Sequence, residues 1–280
     1  MQEKDIDVMQ TATPKVNVMQ GASAPEIPYE LVPLPSQGKL YPEEHPLFGE
    51  ESVQIKAMTA TEENILSSPA LIKKGTVVDT LIRSCLLNKS IDPKTLLAGD
   101  KSAILLAIRI SGFGAEYTMK TSCPECSHGF DHNFDLSKVL VKPLNCDPLI
   151  ANSNIFSFVL PKSKKTIKFK LLTSGDEMDI SETQDKRRKA LRKSGVTSEV
   201  ETTVTDNLLR GILEIDGNKD RKFIEKFVAT MPVLDSRTIR EHIKAIQPDI
   251  LFKEEVECPN CGAVETHDIP IGMEFLWPKL

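Results

Sequence analysis

The chain has no run of about 18 apolar residues, so nothing in it reads as a membrane-spanning helix. Its opening, MQEKDIDVMQ, lacks the apolar stretch of a secretory leader, and the expectation is a soluble protein of a reducing compartment. An excess of positive charge is missing too. The formal net charge is -5 over 280 residues, which argues against a protein built chiefly to grip phosphate backbones. Aromatic residues are few, at 5%, while 27% charged and 40% hydrophobic residues are ordinary for a globular chain. Absent motifs narrow the chemistry further: there is no HExxH for zinc hydrolysis, no HxE with PCxxC for a zinc deaminase and no GxSxG nucleophile elbow. AGDKSAILL ends like a phosphate loop, but Asp100 separates Gly99 from Lys101 and the GxxxxGK[ST] spacing is not there. The expectation is a non-enzyme with no small-molecule substrate and no membrane partner.

Six cysteines are present: Cys85, Cys123, Cys126, Cys146, Cys258 and Cys261. A chain of this length buries a core without staples, and in a reducing compartment paired CxxC spacing points to metal or redox chemistry rather than disulfides. Cys85 lies on the apolar face of LIRSCLL and reads as a buried thiol. Cys146, in PLNCDPL, has no cysteine or histidine within four residues and reads as a non-ligand.

The other four cysteines form two matching tetrapeptides, CPEC at 123–126 and CPNC at 258–261. CPECSHGFDHNFDL aligns without gaps to CPNCGAVETHDIPI, with His132 opposite His267 and an extended run on both sides of each. Two such knuckles supply four soft sulfur ligands, so Cys123, Cys126, Cys258 and Cys261 are expected to hold one structural zinc ion (Zn2+) with no open position for catalysis. The competing reading is unligated buried thiols or a disulfide. His128, two residues after Cys126, is expected outside a shell that four thiolates already fill. His132 and His267 read as strand-surface residues. Neither knuckle precedes a helix, which weakens a thioredoxin-like role.

The pass along the chain gives an α+β protein, a split zinc ribbon with a mostly helical insertion and an N-terminal helical segment. Residues 1–30 read as a flexible arm in which Val8-Met9-Gln10 recurs as Val18-Met19-Gln20, either a docking peptide or chance repetition. Residues 31–115 hold an extended Pro- and Gly-rich strip, the strand SVQIKAM and three helices. The first helix starts at the Thr59/Glu62 capping box and exits at Gly75; the second presents Val77, Val78, Leu81, Ile82, Cys85 and Leu86 on one face; the third is capped by Asp100. Residues 116–140 and 250–280 form the ribbon. Residues 141–249 form the insertion: a hairpin from FSFVL and TIKFKLL, then helices over DEMDISETQDKRRKALRKSG, SEVETTVTDNLLRGILEI, RKFIEKFVATM and SRTIREHIKAI. KRRKALRK, at 186–193, is a concentrated basic stretch that reads as a solvated helix face, or else as a contact for nucleic acid or an acidic protein.

A series of residues then resembles the T4-like bacteriophage baseplate hub and hub-assembly proteins: Pro35-Ser36-Gln37-Gly38, Tyr41-Pro42, Met58-Thr59, Glu62-Glu63, Leu66, Lys74-Gly75, Gly99-Asp100, Arg109 and Gly112, shortly before the strand entering Cys123. The resemblance covers the first half of the folded region well and the helical insertion poorly. It implies a non-catalytic component needed to build the central hub of a contractile tail, incorporated in the virion baseplate or acting in the host cytoplasm as an assembly factor, with other baseplate or hub proteins as partners. The alternatives are a zinc-ribbon nucleic-acid-binding regulator and a thiol redox protein.

Overall fold

The computed structural model of the protein describes residues 28–194 and 202–278. The arm expected over 1–30 lies outside the described residues except at its end, where the first strand already begins at Tyr29.

β1 (Tyr29–Pro33) pairs antiparallel with β2 (Ser52–Lys56), from Tyr29 opposite Lys56 to Pro33 opposite Ser52. The strip between them folds back sharply through Gln37 and Gly38, at φ 54 and 70. A Cβ on Gly38 would lie 2.4 Å from the Glu50 nitrogen, so this turn requires glycine. Leu34, Leu40, Tyr41 and Leu47 of the strip are buried, which makes it part of the core rather than a surface ribbon.

α1 (Ala60–Leu66) opens with the expected capping box between Thr59 and Glu62. The helix does not run on to Gly75. Pro69 starts a separate α2 (Pro69–Lys74), with Ser68 extended at ψ 108 because the proline ring disfavours a helical residue before it. Gly75, at φ 68, closes α2 as expected. α3 (Val77–Cys85) buries Val77, Leu81, Ile82 and Cys85. α4 (Ala98–Phe113) starts earlier than expected, with Leu97 as its cap. Asp100 is therefore not the cap; it sits inside the first turn, fully buried.

β3 (Glu116–Ser122) and β4 (Gly129–Asp135) form a hairpin around the first knuckle. After β5 (Leu140–Lys142) the chain enters the insertion, where β6 (Phe156–Val159) and β7 (Thr166–Phe169) pair as expected. α5 (Ser174–Lys193) follows, opened by a capping box between Thr173 and Asp176, then α6 (Thr203–Gly211), which has no side-chain cap and is held by an apolar stripe that buries Leu208. ILEI, expected to end a helix, is instead β8 (Ile212–Ile215), which joins the free edge of β7. The SEVE portion of that expected helix, 198–201, lies outside the described residues. α7 (Arg221–Ala229) and α8 (Val233–Ile246) complete the insertion.

β9 (Asp249–Leu251) returns to pair with β5, placing Leu140 opposite Leu251 and Lys142 opposite Asp249. The two ends of the insertion are thereby tied side by side. β10 (Lys253–Glu257) and β11 (Val264–Asp268) form the second knuckle hairpin, and the short α9 (Met273–Leu276) packs its Phe275 and Leu276 into the core. One contiguous apolar cluster runs from Val32 through the insertion to Leu276. The architecture is α+β.

Candidate metal centre

The two hairpins present their cysteines from turns that match residue for residue. The Cys123 N–H donates to the His128 carbonyl at 3.0 Å, and the Cys258 N–H to the Ala263 carbonyl at 2.8 Å. The Ser127 N–H donates to Cys123 O and the Gly262 N–H to Cys258 O, both at 2.9 Å. Each turn closes through a left-handed residue after its second cysteine, Ser127 at φ 56 and Gly262 at φ 71.

The hairpins face each other so that the first cysteine of one meets the second of the other. Cys123 Sγ lies 3.7 Å from Cys261 Sγ, and Cys126 Sγ lies 3.7 Å from Cys258 Sγ. All four sulfurs fall within 4.8 Å of one another. A disulfide needs about 2.05 Å, so the cysteines are free. Sulfurs at the corners of a tetrahedron with bonds of about 2.3 Å stand roughly 3.8 Å apart, and the two 3.7 Å separations across the hairpins fit that. Cys123 and Cys258 are buried, Cys126 is half-buried and Cys261 is exposed.

Protons on the four thiols compete. The Asn260 amide, donating at 3.6 Å, and the His128 N–H pull Cys126 down to about 6. The Ala263 N–H favours the Cys261 thiolate in the same way, but Cys126 and the other two cysteines beside it push Cys261 up to about 12. One thiolate forms readily and its charge holds the next proton on; a cation at the centre removes that repulsion.

Two side-chain contacts join the hairpins along their length. Thr121 Oγ1 and His267 Nδ1 lie 2.8 Å apart, and His132 Nε2 lies 3.8 Å from Glu254 Oε1. His132 and His267 are thus half-buried in the seam rather than on an outer strand face, because the hairpins pack side by side. His128 is exposed, its ring stacked on Phe130 at 6.2 Å, apart from the sulfurs. Cys85 is fully buried, as expected, and burial pushes its thiol up to about 12. Cys146 stands outside the cluster, half-buried, with its thiol on the Asp147 carbonyl at 3.5 Å. KRRKALRK covers the far half of α5 as an exposed face, with Lys186 on Glu182 at 3.4 Å and Arg187 on Asp206 at 3.5 Å.

A second cluster escaped residue-level reasoning. Asp100 accepts from the Ser36 N–H at 2.9 Å, the Ser36 hydroxyl at 2.6 Å and the Tyr41 hydroxyl at 2.7 Å, pinning the strip to the start of α4. Burial still holds its carboxyl above the ordinary range despite these donors. Arg109, buried at the other end of α4, donates to the Gly114 and Glu116 carbonyls at 2.8 and 3.1 Å. Glu62 is fully buried between the Lys56 ammonium at 2.6 Å, the Ser84 hydroxyl at 2.5 Å and the Thr59 N–H at 2.9 Å. The residues that carry the resemblance therefore converge: Ser36, Tyr41 and Asp100 in one network, Glu62 with Thr59 in another, and Gly112 under Met58, where a Cβ would lie 2.2 Å from the methionine Cε.

These features define an α+β protein whose buried polar networks lock a strip onto a helix and whose paired thiol knuckles stand at the two ends of residues 141–249. Residues 27–277 match the model of the family described as T4 bacteriophage base plate protein, and the chain belongs to that family. The match spans the insertion as well as the first half, further than the resemblance reached. Membership gives the protein a structural role in a phage baseplate, in association with other baseplate proteins. No curated protein and no solved structure matches the chain. No helix among the described residues is long and apolar enough to cross a membrane.

Proposed function

We propose that the protein is a non-catalytic component of the central hub of a contractile-tail baseplate, resident or acting during its assembly, and that Cys123, Cys126, Cys258 and Cys261 hold one structural zinc ion within it. The observation that carries the metal reading is the correspondence of the two knuckles, which bring four free thiols together from opposite ends of the insertion at tetrahedral separations. A four-sulfur shell leaves no position for a substrate, so the ion would act as a staple. On this reading residues 31–115 form the body, 116–140 and 250–280 a split zinc ribbon, and 141–249 an insertion clasped at its base.

Elemental analysis of the reduced, unchelated protein should find one zinc per chain; clearly less than one overturns the metal reading. Mass spectrometry of mature tails beside assembly intermediates tests the hub reading, which fails if the protein is in neither. Steeply salt-dependent binding to duplex DNA or RNA would instead support a nucleic-acid regulator working through the basic face of α5.

A further inference from the structure

The second half of α5 packs on the rest of the protein along one side only. Gln184 donates to Asp206 Oδ2 at 3.0 Å, Arg187 reaches the same carboxylate at 3.5 Å and Leu191 is half-buried, so residues three and four apart turn this side to α6. Carboxylates of the first half are taken within the chain: Asp176 and Asp179 by Arg210 at 2.6 and 2.5 Å, Glu182 by Lys186 at 3.4 Å and Asp185 by Arg188 at 3.7 Å.

After Asp185 the helix carries no further carboxylate. Lys189, Arg192 and Lys193 are exposed and spaced three and four apart, and at about 3.6 residues per turn they point away from the side that Gln184, Arg187 and Leu191 give to α6. Among the described residues none of the three meets a carboxylate, although the cations just before them do. The helix dipole favours a cation in the last turn, which accounts for Arg192 and Lys193, but its effect has faded at Lys189. Like charges at this spacing repel one another, and no described carboxylate offsets that.

We propose that this stripe docks on an acidic surface of another baseplate protein, an inference that rests on the hub reading and adds the chemistry of one partner contact. The charge pattern fits a protein rather than a nucleic acid. Glu182 and Asp185 stand on the same side of α5 one to two turns earlier, where a duplex, with a charge every 1.7 Å or so, about its whole length, would meet them with like charge. Residues 174–193 include no aromatic side chain on which a base could stack, and the chain carries a net charge of -5. A cluster of carboxylates no longer than about two helical turns matches the stripe instead. Such a contact supplies orientation and speed of encounter more than affinity.

The test uses the full-length chain in tails and assembly intermediates. Carbodiimide, which joins an amine to a carboxylate only where they touch, should couple Lys189 and Lys193 to aspartate or glutamate side chains of another protein. The double substitution Lys189→Glu, Lys193→Glu should leave the dichroism and Tm of the isolated chain unchanged and lower its incorporation about tenfold or more, whereas Lys189→Arg, Lys193→Arg should incorporate normally. Particles that contain the chain but couple neither lysine to another protein would overturn the inference and leave the hub reading standing. So would normal incorporation of the glutamate variant. Coupling to a second copy of this chain would overturn it in favour of self-association, and amines that become reactive only after nuclease treatment would overturn it in favour of a nucleic acid. Absence of the chain from tails and intermediates alike would overturn the hub reading, and this inference with it.

Discussion

In α3 and α4, Leu81, Ile82, Cys85, Ile104 and Ile108 are fully buried, whereas the four strands that flank the knuckles bury only Tyr117, Phe134 and Val256 among their residues. The body thus has an apolar core, at about 1.5–3 kcal/mol for each large side chain taken from water. The hairpins do not. A lone two-stranded hairpin is marginal in water, and these two meet through a histidine–threonine contact, a long histidine–glutamate pair and the sulfurs. The contrast says where the proposed ion would matter: dispensable for the body, decisive for the seam. It also says what replaces the ion in the body, namely buried carboxylates whose donors come from distant parts of the chain.

The largest effect should come from breaking the seam. Cys258→Ser, or chelation of the unmodified protein, should open β3, β4, β10 and β11 to hydrogen exchange together while α3 and α4 remain protected and most helical dichroism survives. Exchange confined to one hairpin would sink the shared site, and collapse of α3 as well would erase the distinction between the two regions.

Next should come Asp100→Ala, which strands the Ser36 N–H and hydroxyl and the Tyr41 hydroxyl in the interior. Leaving a buried donor without its acceptor costs about 1–3 kcal/mol, and the loss should be read by urea unfolding followed through the body. Metal content should not change. If the variant bound added zinc as weakly as Cys258→Ser, the two regions would be one cooperative unit.

Acid should expose a third difference. Burial alone would raise the Glu62 carboxyl, but Lys56, Ser84 and Thr59 outweigh it and bring it from 4.5 down to about 2. Because the folded value lies below the ordinary one, the stabilisation is complete above about pH 4.5 and is lost as pH falls towards 2, roughly 3 kcal/mol in all. Asp100, held above the ordinary range, works in the opposite sense: its contribution is complete in acid and is lost as pH rises through its folded value. Glu62→Gln should therefore be less stable at neutral pH and flatten the fall in Tm between pH 4.5 and 2. An acid limb as steep as that of the unmodified protein would remove Glu62 as its cause.

What the sequence made legible follows the same division. The knuckles could be read because each pair of cysteines is local and the two copies match; the Thr59 capping box and the α3 stripe are local patterns too. Asp100 was misread as a cap because its partners Ser36 and Tyr41 are about sixty residues away, a distance at which no periodicity speaks. ILEI is an apolar run too short for its period to separate strand from helix, and only the free edge of β7 decides it. The break before Pro69 is legible from the proline itself, a signal that running the first helix on to Gly75 leaves out. The histidines were assigned to a surface because nothing in one hairpin shows that another packs beside it.

The smallest effect tests the likeness of the two knuckles themselves. Ser127 and Gly262 hold the same left-handed position, but serine pays a steric penalty there that glycine does not, about 1 kcal/mol. Glycine recovers that strain and loses roughly 0.5 kcal/mol to the greater freedom of the unfolded chain. Ser127→Gly should therefore steady the first hairpin by a few tenths of a kcal/mol at most, and Gly262→Ser should loosen the second by a similar amount. If both hairpins share one ion, each change should slow or speed exchange in β3–β4 and β10–β11 alike, in proportion. A response limited to the substituted hairpin would mean that the turns match in shape but are not coupled through a common centre.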